Sequence, residues 1–210
     1  MGALAGIPVA AIAYATPAQG SLRVPERWWF GTPARPTAVA TVSLLTGTVA
    51  GLVTGRIEPS AALPAFWLFA VLGVCLAVID LRRRRLPHAI TGTLVAACIL
   101  CFTADASLGG DPGSLLRALA TGSITAVALL TVALALPGQL GLGDVALAGA
   151  VTLSLGWLSW HAAATGIVGA FLLQGAAALA IRTGTRKDGI MPMGPALVTG
   201  WLVAVLLAAA

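Results

Sequence analysis

Long apolar runs dominate this sequence, and they leave little choice of fold. Eight such runs follow one another along the 210 residues, separated by short segments rich in charge, glycine or proline. Crossing the hydrocarbon core of a bilayer takes about 20 predominantly apolar residues. The sequence therefore predicts an all-α fold, a polytopic transmembrane helix bundle of eight spans, or seven if the short first run does not cross. The spans are predicted at 1–16, 37–54, 61–80, 88–104, 115–136, 144–160, 162–182 and 190–209.

The composition excludes a soluble protein. Charged residues make up 9% of the chain and hydrophobic residues 59%, whereas a soluble domain carries about 25% charged residues. The longest polar stretch is 17–36, so no large domain outside the membrane fits. We divide the chain into residues 1–36, a weak N-terminal span with a short loop, and residues 37–210, a helical membrane domain. Membrane lipids are the expected surroundings. We attribute the net charge of +5 to the placement of Lys and Arg relative to the bilayer, and not to nucleic-acid binding.

Lysine and arginine are divided unevenly between alternate loops. Two of them, Arg56 and Arg117, lie in or beside one set of loops, and ten lie in the other set. Because cytoplasmic loops of membrane proteins carry the excess of positive charge, the second set is predicted to be cytoplasmic. Its members are Arg23, Arg27, Arg35, Arg82, Arg83, Arg84, Arg85, Arg182, Arg186 and Lys187.

Two acidic residues stand at predicted cytoplasmic ends of spans. Asp80 closes the third apolar run and Asp144 opens the sixth. An ionisable group at such a position costs about 3 kcal/mol on insertion scales, which makes it a functional candidate by default. Asp105 and Asp111 fall in the loop 104–114 on the other side, where we expect ordinary solvated residues. Topology therefore selects Asp80 and Asp144 as a pair that meets, and two carboxylates sharing one proton are the machinery of an aspartic protease.

Each of these two acids also has a structural alternative. Asp80 precedes the arginines 82–85 and could form a salt bridge, although a helix C-terminus disfavours an anion. Asp144 precedes an apolar helix, where Asp is a favoured N-cap worth about 1 kcal/mol, and on local sequence this alternative is the stronger. Gly141 and Gly143 would then simply make the turn. In the functional alternative, the two glycines let the backbone pass close to a bound peptide.

Other polar and aromatic residues are interpreted structurally. Cys98 and Cys101 have the spacing of a metal knuckle, but a zinc site takes about four ligands and no histidine completes the set. We therefore expect no metal and no cofactor. Pro87 is predicted in the first turn of the fourth span, and His88 is read as an interfacial residue. The chain has six tryptophans, most of which are predicted to lie near span ends, as in aromatic belts. The six are Trp28, Trp29, Trp67, Trp157, Trp160 and Trp201.

Three motifs occur in order at the predicted cytoplasmic boundaries. They are Asp80-Leu-Arg-Arg-Arg-Arg-Leu-Pro87, Gly141-Leu-Gly-Asp144 and Met191-Pro-Met-Gly194-Pro195. Together they resemble the aspartate motif, the GxGD motif and the Pro-Phe-Gly-Pro stretch of type IV prepilin leader peptidases. GxGD alone is a weak signal in a glycine-rich membrane protein, but the ordered set is specific. The resemblance covers about residues 61–201.

This resemblance implies an integral-membrane aspartic endopeptidase with Asp80 and Asp144 as its catalytic residues. The implied substrates are precursors of type IV pilins, pseudopilins or Tad/Flp-type pilins, in which a short basic leader is followed by Gly and a long apolar helix. The cut follows that Gly, on the cytoplasmic face of the inner membrane. Arg82, Arg83, Arg84 and Arg85 are candidate contacts for substrate or lipid. The motif-supporting residues are Gly141, Gly143, Pro87, Gly194 and Pro195.

The chain departs from the family pattern in two places. Larger members carry a cytoplasmic insertion with paired Cys-x-x-Cys motifs, and many methylate the new N-terminus with S-adenosylmethionine. The loop 17–36 contains no cysteine, so we expect a short form without zinc and doubt that it methylates its product. A Lys commonly follows GxGD-Val, whereas this chain has Ala146. That change affects substrate contacts or loop packing and leaves both acids in place.

Three other functions could use the same residues. A proton- or cation-coupled transporter would use Asp80 and Asp144 as a relay, and it predicts acids near the bilayer midplane and an internal repeat. A non-catalytic subunit of a secretion or pilus machine would tolerate loss of both acids. A presenilin-like protease also uses GxGD, and Pro195-Ala-Leu197 matches its Pro-Ala-Leu motif. The Asp80–Pro87 motif favours the prepilin branch over this last alternative.

Overall fold

Every apolar run of the sequence forms a helix. The computed structural model describes residues 2–17, 25–136, 140–183 and 192–208, and within them the chain has eight α-helices, one 3-10 turn at Trp28–Phe30 and no strand. This confirms the predicted all-α bundle. The helices are α1 Gly2–Ala15, α2 Pro36–Thr54, α3 Leu63–Arg83, α4 His88–Ser107, α5 Pro112–Ala135, α6 Leu142–Leu158, α7 Trp160–Thr183 and α8 Gly194–Ala208.

Five of these helices, α2 to α5 and α7, are long and apolar enough to cross a membrane. The other three, α1, α6 and α8, are apolar but have only 14, 17 and 15 residues. Helix α3 is the most buried of the five long helices and contacts α1, α2, α4 and α8, while α6 contacts α4, α5, α7 and α8. Two interior helices thus organise the bundle, and each of them carries one of the two predicted catalytic acids.

Trp201 lies at the point where α3, α6 and α8 meet. Its ring is fully buried and stacks on Phe69 of α3 with 4.4 Å between ring centroids. Its indole N–H donates to the Ser154 hydroxyl of α6 over 2.9 Å. The structure therefore places this tryptophan in the core and not in an aromatic belt. A buried indole needs a partner for its N–H, and Ser154 supplies one.

Helix α1 packs closely on α2 because small residues face each other across the contact. A Cβ atom on Gly6 would overlap the Cα atom of Ser43, and one on Gly2 would lie 2.9 Å from the Ala50 Cβ. Small residues let membrane helices approach until their backbones touch. This short first helix is accordingly part of the packed bundle, and Val9, Ala10 and Ala13 contribute to its core.

We expect the substitution Gly6→Ala to destabilise the protein by about 1–3 kcal/mol, since overpacking against a backbone atom forces the helices apart. The measurement is the melting temperature of the purified protein in detergent. Gly51→Ala on α2 is the matched control, because a Cβ there meets nothing within 4 Å. Equal melting temperatures for the Gly6→Ala and Gly51→Ala variants would contradict this account of the contact between α1 and α2.

The helix ends differ from the predicted ones where local caps extend or shift a helix. Helix α4 continues to Ser107 and α5 begins at Pro112, so the loop between them is 108–111, shorter than the predicted 104–114. Asp105 is a half-buried helical residue whose Oδ1 accepts from the Ala62 amide over 3.1 Å. Asp111 is the N-cap of α5. The amide of Gly113, followed by the Ser114 hydroxyl, the Ser114 amide and Arg117, holds the pKa of Asp111 below its usual value. Asp111 is exposed, as expected, whereas Asp105 is partly buried.

Arg56 and Arg117, the two exceptions to the charge asymmetry, both bind helix C-termini. Arg56 donates to the Leu206 carbonyl of α8 over 2.9 Å. Arg117 donates to the Gly156 and Trp157 carbonyls of α6, both over 2.7 Å, and to the Leu158 carbonyl. The last carbonyls of a helix have no partner within it and attract cations. These two arginines therefore have a structural use that is independent of membrane orientation.

Candidate functional site

One end of the bundle contains a cavity of about 560 Å³. The C-terminal ends of α1 and α3 and the N-terminal ends of α4, α6 and α8 lie at this end. Both predicted catalytic acids line the cavity. The full lining is Thr16, Pro17, Asp80, Arg84, Arg85, Leu86, Pro87, His88, Ala89, Gly141, Leu142, Gly143 and Asp144.

Asp80 lies in the last turn of α3 and is only 4% exposed. Its Oδ2 accepts from the amide of Gly194, the first residue of α8, over 2.7 Å. The helix ends where Arg84 adopts a left-handed conformation, with φ 52° and its amide bonded to the Asp80 carbonyl. The carboxylate thus stands where the C-terminus of one helix meets the N-terminus of another, and the second of these favours an anion.

Asp144 lies in the first turn of α6 and is half-buried. The N-cap of the helix is Gly141, whose carbonyl accepts from the Asp144 amide over 3.0 Å and whose backbone is also hydrogen-bonded to the Asp144 carboxylate. The predicted alternative of Asp144 as the N-cap is therefore wrong. The acid is the third helical residue, and its carboxylate reaches back to the backbone of the N-cap as an acidic side chain at this position does in a capping box.

The second glycine of the motif, Gly143, makes room for the segment that follows α3. A Cβ atom on Gly143 would lie 2.9 Å from the Leu86 Cβ and 3.3 Å from the Leu86 carbonyl oxygen. Leu86 therefore passes directly against the first turn of α6. Pro87 is the N-cap of α4, one residue before the predicted first-turn position, and its carbonyl accepts from the amides of Ile90 and Thr91.

The two carboxylates share one cavity. Asp80 at the end of α3 and Asp144 at the start of α6 both line it. Two neighbouring carboxylates in a partly desolvated site do not both ionise without a large cost, so such a pair holds one proton between its members. A site with one neutral and one ionised carboxyl group carries a proton donor and a proton acceptor side by side.

The arginines predicted to contact substrate or lipid divide into two groups. Arg84 and Arg85 line the cavity. Arg82 instead lies over the ring of Tyr14 at the end of α1, with 3.4 Å between its guanidinium carbon and the ring centroid. Arg83 is the exposed last residue of α3. Four other residues of the sequence predictions lie outside the described residues: Arg23, Arg186, Lys187 and Met191.

The cavity also includes residues that the motifs did not indicate. Thr16 and Pro17 follow α1 and form part of the wall, and His88, interpreted from sequence as interfacial, lines it as well. No motif covers residues 16 and 17, and the only available signal was a proline that ends an apolar run. Gly194 does not line the cavity, but its amide is hydrogen-bonded to Asp80, which does. Pro195 is the half-buried second residue of α8.

Comparison with known protein families identifies a match over the centre of the chain. The model of the type IV leader peptidase family matches residues 67–183, which is more than half of the chain. The matched segment contains both Asp80 and Asp144 and ends before Gly194. No curated protein and no solved structure matches the chain.

Proposed function

The chain belongs to the type IV leader peptidase family, and on that premise we propose that it is an aspartic endopeptidase of the inner membrane. It removes the leader peptide from precursors of type IV pilins, pseudopilins or Tad/Flp-type pilins, at the cytoplasmic face. The observation that carries the proposal is the cavity at one end of a membrane bundle that both Asp80 and Asp144 line. Membership of the family implies a peptidase acting on a protein precursor, and the cavity supports the two-acid chemistry.

The proposed mechanism uses the two acids and one water molecule. The ionised carboxylate takes a proton from water, whose oxygen adds to the carbonyl carbon of the scissile peptide, while the neutral carboxyl donates its proton to the carbonyl oxygen. The tetrahedral intermediate then collapses: one of its hydroxyl groups returns a proton to the ionised carboxylate, the neutral carboxyl protonates the leaving nitrogen, and the C–N bond breaks. Because interacting acids titrate together, the two roles belong to the pair and neither is assigned to one residue.

The distribution of arginine supports a cytoplasmic active site. Arg84 and Arg85 line the cavity and Arg82 and Arg83 lie beside it, so the site is at the arginine-rich end of the bundle. The two arginines at the other end, Arg56 and Arg117, are engaged with helix C-termini. Cytoplasmic ends of membrane proteins carry the positive excess. At this end, water can enter the cavity while the apolar helix of the substrate lies beside the bundle.

The position of the acids favours a peptidase over a transporter. A proton or cation relay is expected near the bilayer midplane, in interrupted helices. Asp80 is instead three residues from the end of α3, and Asp144 is the third residue of α6. Both are therefore at helix ends, where a peptide that approaches from the cytoplasm can reach them.

The test is cleavage of a synthetic precursor by the purified protein in detergent. The peptide carries a short basic leader, a Gly and a long apolar helix, and we expect mass spectrometry to find two products that divide after the Gly. The mass of the released helix also reports methylation, and we expect an unmodified N-terminus. A protein that leaves the peptide intact, and instead conducts protons when placed in vesicles, would establish the transporter alternative.

A further inference from the structure

Gly194 meets Asp80 at the start of α8. Its amide donates to Asp80 Oδ2 over 2.7 Å, and both residues are buried. The first amides of a helix have no partner within the helix and carry its positive end. Asp80 lies near the C-terminus of α3, where that same effect disfavours an anion. Helix α8 therefore supplies a hydrogen-bond donor to the buried Asp80 carboxylate, whereas the C-terminus of α3 disfavours its charge.

The contact leaves no space for a side chain on Gly194. A Cβ atom there would lie 2.9 Å from Asp80 Oδ2, 3.3 Å from the carboxylate carbon and 3.1 Å from the Asp80 Cβ. A methyl group would consequently push against the whole Asp80 side chain. Glycine at this position permits an amide-to-carboxylate bond at full strength, and bonds from an amide to a charged acceptor are shorter and stronger than neutral ones.

We propose that Gly194 is a positioning residue, whose amide fixes the Asp80 carboxylate so that Oδ1 is the oxygen presented to Asp144 and to substrate. The inference rests on the proposed function of Asp80. With Oδ2 engaged by an N–H donor, the proton held by the pair has its place on Oδ1 or on Asp144, because an oxygen that accepts from an amide is a poor site for a proton. The amide thus makes an otherwise symmetric pair of acids unequal.

The test is the kinetics of Gly194→Ala on the precursor peptide. We expect kcat to fall about 10- to 100-fold, which corresponds to loss of one hydrogen bond to a charged group. KM should stay near that of the unmodified protein, because Gly194 does not line the cavity. A second variant replaces Gly194 with glycolic acid during cell-free synthesis, which exchanges the amide N–H for an ester oxygen and adds no side chain. It should lose kcat to a similar extent.

Two further glycines provide matched controls. A Cβ on Gly73 of α3 faces α8 but meets Val198 only at 3.4 Å, so Gly73→Ala should retain kcat. A Cβ on Gly200 of α8 would collide with Gly166 and Ala170 of α7, far from Asp80, so Gly200→Ala should lower the melting temperature and leave kcat per folded molecule unchanged. This variant measures what a purely structural disturbance of α8 does.

Each outcome separates the inference from its premise. Wild-type kcat in Gly194→Ala or in the glycolate variant, while Asp80→Asn is inactive, would overturn the role of the amide and leave the peptidase proposal intact. A kcat loss in Gly194→Ala that only follows its folded fraction, as in Gly200→Ala, would also overturn it. Activity in Asp80→Asn would remove the premise itself.

Discussion

The variants Asp80→Asn and Asp144→Asn are each expected to lose cleavage of the precursor peptide by about 10³-fold or more. General acid–base catalysis by a positioned group is worth about 10²–10⁴-fold, and an amide can neither take a proton from water nor return one. The double variant should be little worse than either single variant, because residues that act as a unit lose their effect together. Product formation measured by mass spectrometry over several hours gives the required range.

The same two variants should remain folded and in the membrane. Asn has nearly the shape of Asp, and in the Asp80→Asn variant the side-chain oxygen can still accept from the Gly194 amide that now binds Asp80. Removing a buried charge also removes a desolvation cost. We therefore expect melting temperatures at or above that of the unmodified protein. Asp105→Asn is the control acid, half-buried at the opposite end beside Ala62, and it should cleave normally. Full activity of either catalytic-site variant would refute the two-acid mechanism.

The helices could be predicted from the sequence because bilayer-length apolar runs have only one conformation that satisfies their backbone. Their ends could not be placed as well. Asp105 lies in α4 because its carboxylate finds the Ala62 amide, a partner 43 positions away in the chain. Helix α6 begins at Leu142, two residues before the predicted start, because the Asp144 carboxylate caps the backbone of Gly141. Caps of these two kinds depend on atoms that hydrophobicity does not describe.

The candidate site was predicted in part, through topology. The charge asymmetry put Asp80 and Asp144 on one side, and the structure brings both to one cavity. The amide of Gly194 and the wall at Thr16 were not predicted, since both depend on which helices pack against α3. Gly194 belongs to a sequence motif that predicted no contact for it. Its hydrogen bond to Asp80 depends on the start of α8 lying against the end of α3.

Trp201 packs helix α8 against α3 and α6. It is seven residues after Gly194 and so lies two turns further along the same face. The ring stacks on Phe69 of α3, and its N–H donates to Ser154 of α6. One side chain therefore joins the helix that carries Asp80, the helix that carries Asp144 and the helix that carries the Gly194 amide. Its loss should disturb both the stability of the bundle and the geometry of the pair.

We expect Trp201→Ala to cost about 3–5 kcal/mol, as large-to-small changes of buried aromatic residues do, and to lower the melting temperature by about 10 °C or more. Cleavage by the folded fraction should fall as well, because α8 no longer holds its amide against Asp80. Trp201→Phe retains a smaller stacking ring and loses the bond to Ser154, so its melting temperature should lie between those of Trp201→Ala and the unmodified protein. Trp160→Ala is the control, since that ring is 55% exposed. If Trp201→Ala and Trp160→Ala have the same melting temperature, then the junction of α3, α6 and α8 does not depend on the Trp201 side chain. The position of Gly194 must then be set by other contacts of α8 with α7 and α3.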